Sequence, residues 1–116
     1  MKVFVSQPIQ GRTKDDLVSG HASTLSKGMN YLGLSPAETV EVPMIGPSQL
    51  SGQHPVYCLG LNLQMMCQAD VVLFEPGWTD SKASRLEHYV CEVYGIRHVD
   101  VPAEEGETRE NDAETI

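Results

Sequence analysis

Cys67-Gln-Ala-Asp-Val-Val-Leu-Phe-Glu-Pro-Gly-Trp-Thr-Asp-Ser-Lys-Ala-Ser-Arg-Leu-Glu-His-Tyr-Val-Cys-Glu-Val-Tyr94 reads as strand, loop, helix. The unbroken apolar run Val71 to Phe74, entered through Ala69-Asp70 and stopped by Pro76-Gly77, has the pattern of a strand buried on both faces of a parallel sheet. Pro76, Gly77, Asp80 and Ser81 supply turn and N-cap chemistry. From Ala83 onward, Leu86, Val90, Val93 and Tyr94 follow at helical spacing, so a helix should pack back onto the sheet.

Glu87 interrupts that stripe. At roughly 100° per residue it falls among the directions of Ala83, Val90, Cys91 and Tyr94, which predicts a partly buried carboxylate, with Arg85, His88 and Glu92 on the solvent side. Removing an ionised carboxylate from water without partners is costly. The first turns of a helix offset some of that cost with free amides and the positive end of the macrodipole. Open α/β sheets also bind ligands at the carboxyl ends of their strands, so a catalytic carboxylate fits this position. A glutamate on the stripe edge that pairs with an arginine or reaches solvent fits the pattern equally well.

Upstream, Val3-Phe4-Val5 is a short first strand that runs into Ser6-Gln7-Pro8-Ile9 and then Gly11-Arg12. A loop after the first parallel strand is where doubly wound folds hold phosphate or sugar groups, which makes Ser6, Gln7, Pro8, Ile9, Gly11 and Arg12 candidate ligand-binding residues. The Gly-x-Gly-x-x-Gly fingerprint is absent, and a Gly-Arg pair in a loop is also structurally ordinary. Thr13 caps a helix that reaches about Leu32-Gly33, weakened by Gly20 and Gly28. Its face carries His21, to which no chemistry is assigned. Thr39 to Val42 is a second strand, and Met44 to Gln53 is a loop that is either a lid or a tolerated insertion. Val56 to Gln68 is a second helix, Gly95 stops the Glu87 helix, and Ile96 to Val101 contains the last strand.

The alternation predicts an α/β fold: one doubly wound, mainly parallel sheet of four or five strands with helices on both faces, in the Rossmann-like or flavodoxin-like manner. At 116 residues the chain holds one core, assigned to 1–101. Residues 102–116, with Glu104, Glu105, Glu107, Glu110, Asp112 and Glu114, read as an acidic mobile tail. A net charge of −8 argues against nucleic acid polymers as partners but leaves a small anionic ligand open, because much of the acid lies in that tail. No apolar run approaches the length needed to span a bilayer, and Lys2 with its short strand lacks the apolar region of a secretory signal, so cytoplasm is the expectation. The three cysteines, Cys58, Cys67 and Cys91, have no Cys-x-x-Cys spacing and are expected as buried thiols. Neither a metal nor a cofactor is indicated.

The runs Met1-Lys-Val-Phe-Val-Ser-Gln-Pro-Ile, His54-Pro-Val-Tyr-Cys-Leu-Gly, Ala69-Asp-Val-Val, Pro76-Gly-Trp and Arg85-Leu-Glu-His together resemble the small nucleoside 2-deoxyribosyltransferase-like proteins, a family related to the deoxynucleoside 5′-monophosphate N-hydrolases. The resemblance spans most of the chain to about Val101. It implies that Glu87 is a nucleophile that forms a covalent glycosyl ester, with Asp80 beside it as a catalytic acid or base. The N-hydrolases carry a phosphate-holding serine six residues before this glutamate, where this chain has Ser81. Eight residues before Asp70 the family's aspartate is replaced by Asn62, which can hydrogen-bond a sugar but cannot act as an acid. Gly77 serves the turn, and Trp78 either stacks on a nucleobase or plugs a core edge or dimer interface. A homodimer or larger assembly is implied by the same analogy. Three functions stay open: an enzyme acting on nucleosides or their monophosphates, a nucleotide-binding module without catalysis, and a structural oligomer subunit.

Overall fold

The computed structural model describes residues 1–45, 52–103 and 109–111, with the side chains of the last three outside the description. Strands β1 (Lys2–Ser6), β2 (Val40–Val42), β3 (Val71–Phe74), β4 (His98–Asp100) and β5 (Arg109–Asn111) form a sheet in the order β2-β1-β3-β4-β5. The first four are parallel and β5 is antiparallel to β4. Helices α1 (Lys14–Leu32), α2 (Pro55–Met66) and α3 (Lys82–Tyr94) complete the expected single α/β domain.

Each helix begins and ends where local chemistry directs it. Thr13 caps α1 by accepting from Asp16 N, and Gly33 closes it at φ 70°. Ser81 caps α3 by accepting from Ser84 N, and Gly95 closes it at φ 71°. Central strand β3 is buried on both faces, and its side chains divide between two cores. Val3, Val5, Val71, Leu73 and Val99 face α1 through Leu25 and Leu32. Phe4, Val42, Val72, Phe74 and Cys91 form the other core with Met66 and Leu63 of α2. Gly28 of α1 is what lets that helix lie against β3, because a Cβ there would stand 2.8 Å from Leu73 Cδ2.

Three expectations need correction. Within 102–116, Arg109–Asn111 is no tail but an edge strand, since β4 offers it a row of unpaired backbone groups that outweighs an acidic composition. The rest of that segment beyond Ala103 lies outside the described residues. Of the cysteines only Cys91 is buried, whereas Cys67 is exposed. On α3 the buried arc is Ser84, Glu87, His88 and Cys91, while Leu86 and Tyr94 are exposed. His88 is therefore inside, against the expectation, because Trp78 and β4 cover its side of the helix.

Candidate active site

The strand order reverses between β1 and β3, and ligands of doubly wound sheets bind at the carboxyl ends of the strands flanking such a point. Ser6 ends β1 there, opposite Phe74 at the end of β3. Its hydroxyl donates to Glu87 Oε1 at 2.7 Å, joining residues 81 positions apart. The Ser84 and Ser6 hydroxyls are 3.1 Å apart. Ser6 has one proton and spends it on Glu87, so Ser84 donates to Ser6 in a short relay.

Glu87 is 3 % exposed. Burial raises its pKa from 4.5 to about 7, against the lowering effect of the Ser6 hydrogen bond. A carboxyl poised there exists in both protonation states near neutral pH, which is the useful range for a base, an acid or a nucleophile. One helical turn on, burial and then the nearby Glu87 carboxylate push the Cys91 thiol up to about 12, so it stays protonated and inert.

Glu87 lines a cavity of about 620 Å³ between the loop after β1 and the N-terminal halves of α2 and α3. Gln7, Ile9, Asn62 and Ser81 line it as expected. Gln7 is held by donation to Leu17 O at 2.9 Å. Met44, Ile45, Gly52 and Gln53 of the candidate lid also contribute, and the intervening residues 46–51 lie outside the described set.

Asn62 has a different task from the one its position implied. Its Oδ1 accepts from Ile45 N at 2.7 Å and its Nδ2 donates to Ile45 O at 2.9 Å, so both ends of the amide are committed to the loop backbone. An aspartate could make only the first bond and would turn a second lone pair toward the Ile45 carbonyl. The asparagine is thus the residue type that holds Ile45 at the cavity wall through both ends of its amide.

Several other candidates fall outside the cleft. Arg12 forms a bidentate ion pair with Glu75 and also donates to Pro8 O and Asp16 O. That pair lies against α1, where it borders a second cavity of about 380 Å³. The guanidinium is raised in pKa by its hydrogen bond to Glu75 and is not turned toward Ser81. Gly11, at φ 76°, and Gly77, at φ 93°, serve turns. Pro8 contributes its carbonyl to Arg12, and Asp80 is exposed in a single 3-10 turn, Trp78–Asp80. Trp78 stacks on His88, with ring centroids 3.8 Å apart and planes 7° from parallel, and it also packs with Phe74. Trp78 thus packs on the edge of the Phe74 core.

Sequence reasoning missed Ser84, whose signal was a small polar residue three positions before Glu87 on the same helical face, and Lys82, a cation on the cavity wall. It also missed the burial of Glu75, which follows directly from its place after a fully buried strand. Among the described residues lining the cavity, Glu87 is the one carboxylate. Comparison with protein-family models, curated proteins and solved structures finds no match for this chain.

Proposed function

We propose that the cleft binds a nucleoside or nucleoside 5′-monophosphate and that Glu87 cleaves or transfers its N-glycosidic bond through a covalent glycosyl-Glu87 ester. The observation that carries this reading is a buried carboxyl with a pKa of about 7, held by Ser6 on the wall of a cavity large enough for such a ligand. Ser6 occupies Oε1, which leaves Oε2 to attack the anomeric carbon. The carbon–nitrogen bond breaks, and its electron pair leaves with the base, which takes a proton from solvent. Water, or a second base, then attacks the same carbon and releases the carboxylate. The carboxylate is the active form, so turnover rises with pH through about 7. Because no second carboxyl lines the described cavity, bases that leave without strong acid assistance are the favoured substrates.

That same lack of a second carboxyl favours one other reading, a nucleotide-binding module without catalysis. Incubating the chain with nucleosides and their monophosphates, and following free base by chromatography, separates the two. Base release that is lost in Glu87→Gln supports the enzyme. Binding without release identifies the module, and neither binding nor release removes both.

A further inference from the structure

A second polar cluster lies on the side of α3 away from the cleft. His88 and Glu92, one helical turn apart on α3, meet His98, the first residue of β4. His98 is completely buried. Its Nδ1 lies 2.8 Å from Ile96 O, and a carbonyl only accepts, so Nδ1 carries the hydrogen. That leaves Nε2, which is the buried side-chain nitrogen or oxygen without a hydrogen-bond partner among the described residues. Buried polar groups are almost always satisfied, so an orphaned imidazole nitrogen in a wholly buried position calls for a ligand.

We propose that His88, Glu92 and His98 form a binding site for a divalent transition-metal ion of the zinc class. One donor atom from each of the three lies within 4.8 Å of the others. The two imidazole rings have centroids 4.8 Å apart and planes at 84°. Two imidazoles on one tetrahedral ion, with metal–nitrogen distances of about 2.0–2.1 Å, have centroids about 5 Å apart. Two imidazole nitrogens and one carboxylate oxygen suit zinc and its neighbours, not magnesium or calcium, which take oxygen.

The outer contacts agree with this assignment. A metal-bound histidine generally donates its other ring N–H to a carbonyl or carboxylate, which fixes its tautomer and orientation. His98 has Ile96 O for that purpose, and His88 Nε2 lies 2.9 Å from Asp100 Oδ1. His88 Nδ1 then faces Glu92 Oε1 at 2.8 Å, and a shift of about 0.5 Å in the exposed Glu92 side chain opens the pair to the roughly 3.3 Å that two donors on one tetrahedral ion require. Trp78, stacked flat on His88, holds that ring in place. Glu92, with its side chain 54 % exposed, gives the ion its route in from solvent. Three protein donors leave a fourth position to water. Bound there, the ion ties α3 to β4 across the turn that joins them. The site is separate from the cleft and does not depend on the function proposed for it.

The test uses the full chain, stripped with a chelator and titrated with Zn²⁺ alone, with Co²⁺ as the spectroscopic stand-in. The expected result is one ion per chain, a melting temperature that climbs with Zn²⁺ concentration, and the strong visible bands of four-coordinate Co²⁺ without a thiolate charge-transfer band. Glu92→Gln, in which an amide oxygen replaces the carboxylate donor, should weaken binding by at least about tenfold. The ¹⁵N resonance of His98 Nε2 should move on Zn²⁺ addition. The proposal is overturned by the absence of stoichiometric binding in the micromolar range, by a thiolate band that assigns the ion to cysteine, or by an unchanged affinity in Glu92→Gln.

Discussion

Glu75 and Glu87 are buried to the same degree, 3 % exposed each, at the carboxyl end of the same sheet, yet they sit under opposite electrostatics. Glu75 receives a guanidinium: both of its oxygens bond to Arg12, and Gly20 lets the pair lie against α1. Among the described residues Glu87 receives only the Ser6 hydroxyl, and burial pushes its pKa to about 7. A charge with a full partner is fixed and inert, whereas a charge with half a partner is poised between its two forms. The fold therefore fixes one carboxylate in an ion pair and leaves the other with a raised pKa.

The sharpest way to break this comparison is to remove the partner of the structural glutamate. Arg12→Ala leaves Glu75 buried without a counter-charge and should destabilise the chain by about 3–5 kcal/mol. Arg12→Met combined with Glu75→Gln should recover most of that loss in urea denaturation. If Arg12→Ala alone is neutral, Glu75 is no structural ion.

Glu87→Gln should have the opposite sign. The folded pKa of about 7 lies above the ordinary 4.5, so the fold prefers the neutral carboxyl. Its contribution is intact below about pH 4.5, is lost as pH rises toward 7, and stays lost above. The glutamine variant should therefore be more stable than the parent by about 3 kcal/mol at pH 8 and equal to it at pH 4. Melting curves across that range decide the matter, and a gap that does not vary with pH would remove the poised carboxyl.

Gly20→Ala asks how tightly the paired side is built. A Cβ there would lie 2.5 Å from Arg12 Nη2 and overlap the Glu75 carboxylate, so a loss of about 1–3 kcal/mol is expected. Chemical denaturation checks it, and an unchanged midpoint would show that the pair moves aside freely. The smallest effect belongs to Ser6→Ala. It removes the one hydrogen bond that lowers the Glu87 pKa, so the pH window of stability loss should move upward, with a cost of about 1 kcal/mol above pH 8. NMR titration of the Glu87 side-chain carbon measures the shift directly, and an unmoved midpoint would dismiss Ser6 as its partner.

Much of the architecture was legible in short stretches. Thr13, Gly33, Ser81 and Gly95 act on their own helices within a few bonds, so their positions alone bound α1 and α3. The four-residue apolar run of β3 announced a central strand, whereas the interrupted stripe suited a partly buried Glu87 and a solvent-reaching one equally, and the structure decided for burial. These features depend on backbone geometry and on a periodic burial pattern, both of which are local.

What the tertiary structure alone decided is which polar groups meet. Arg12 and Glu75 are 63 residues apart, and Ser6 and Glu87 are 81 apart, so their pairing follows from the crossovers and register of the sheet. The choice between the two glutamates was equally hidden, because the reach of one arginine assigns it to α1 and Glu75 rather than to the cleft. His88 differs from Glu87 by a single position, and its burial depends on Trp78 and β4 arriving beside it. Asn62 reads as a weakened catalytic residue until Ile45 is seen to take both ends of its amide. Hydrogen bonds and ion pairs require atoms within about 3 Å in a fixed direction, and only the packed chain, not the spacing of residue types along it, sets distances that fine.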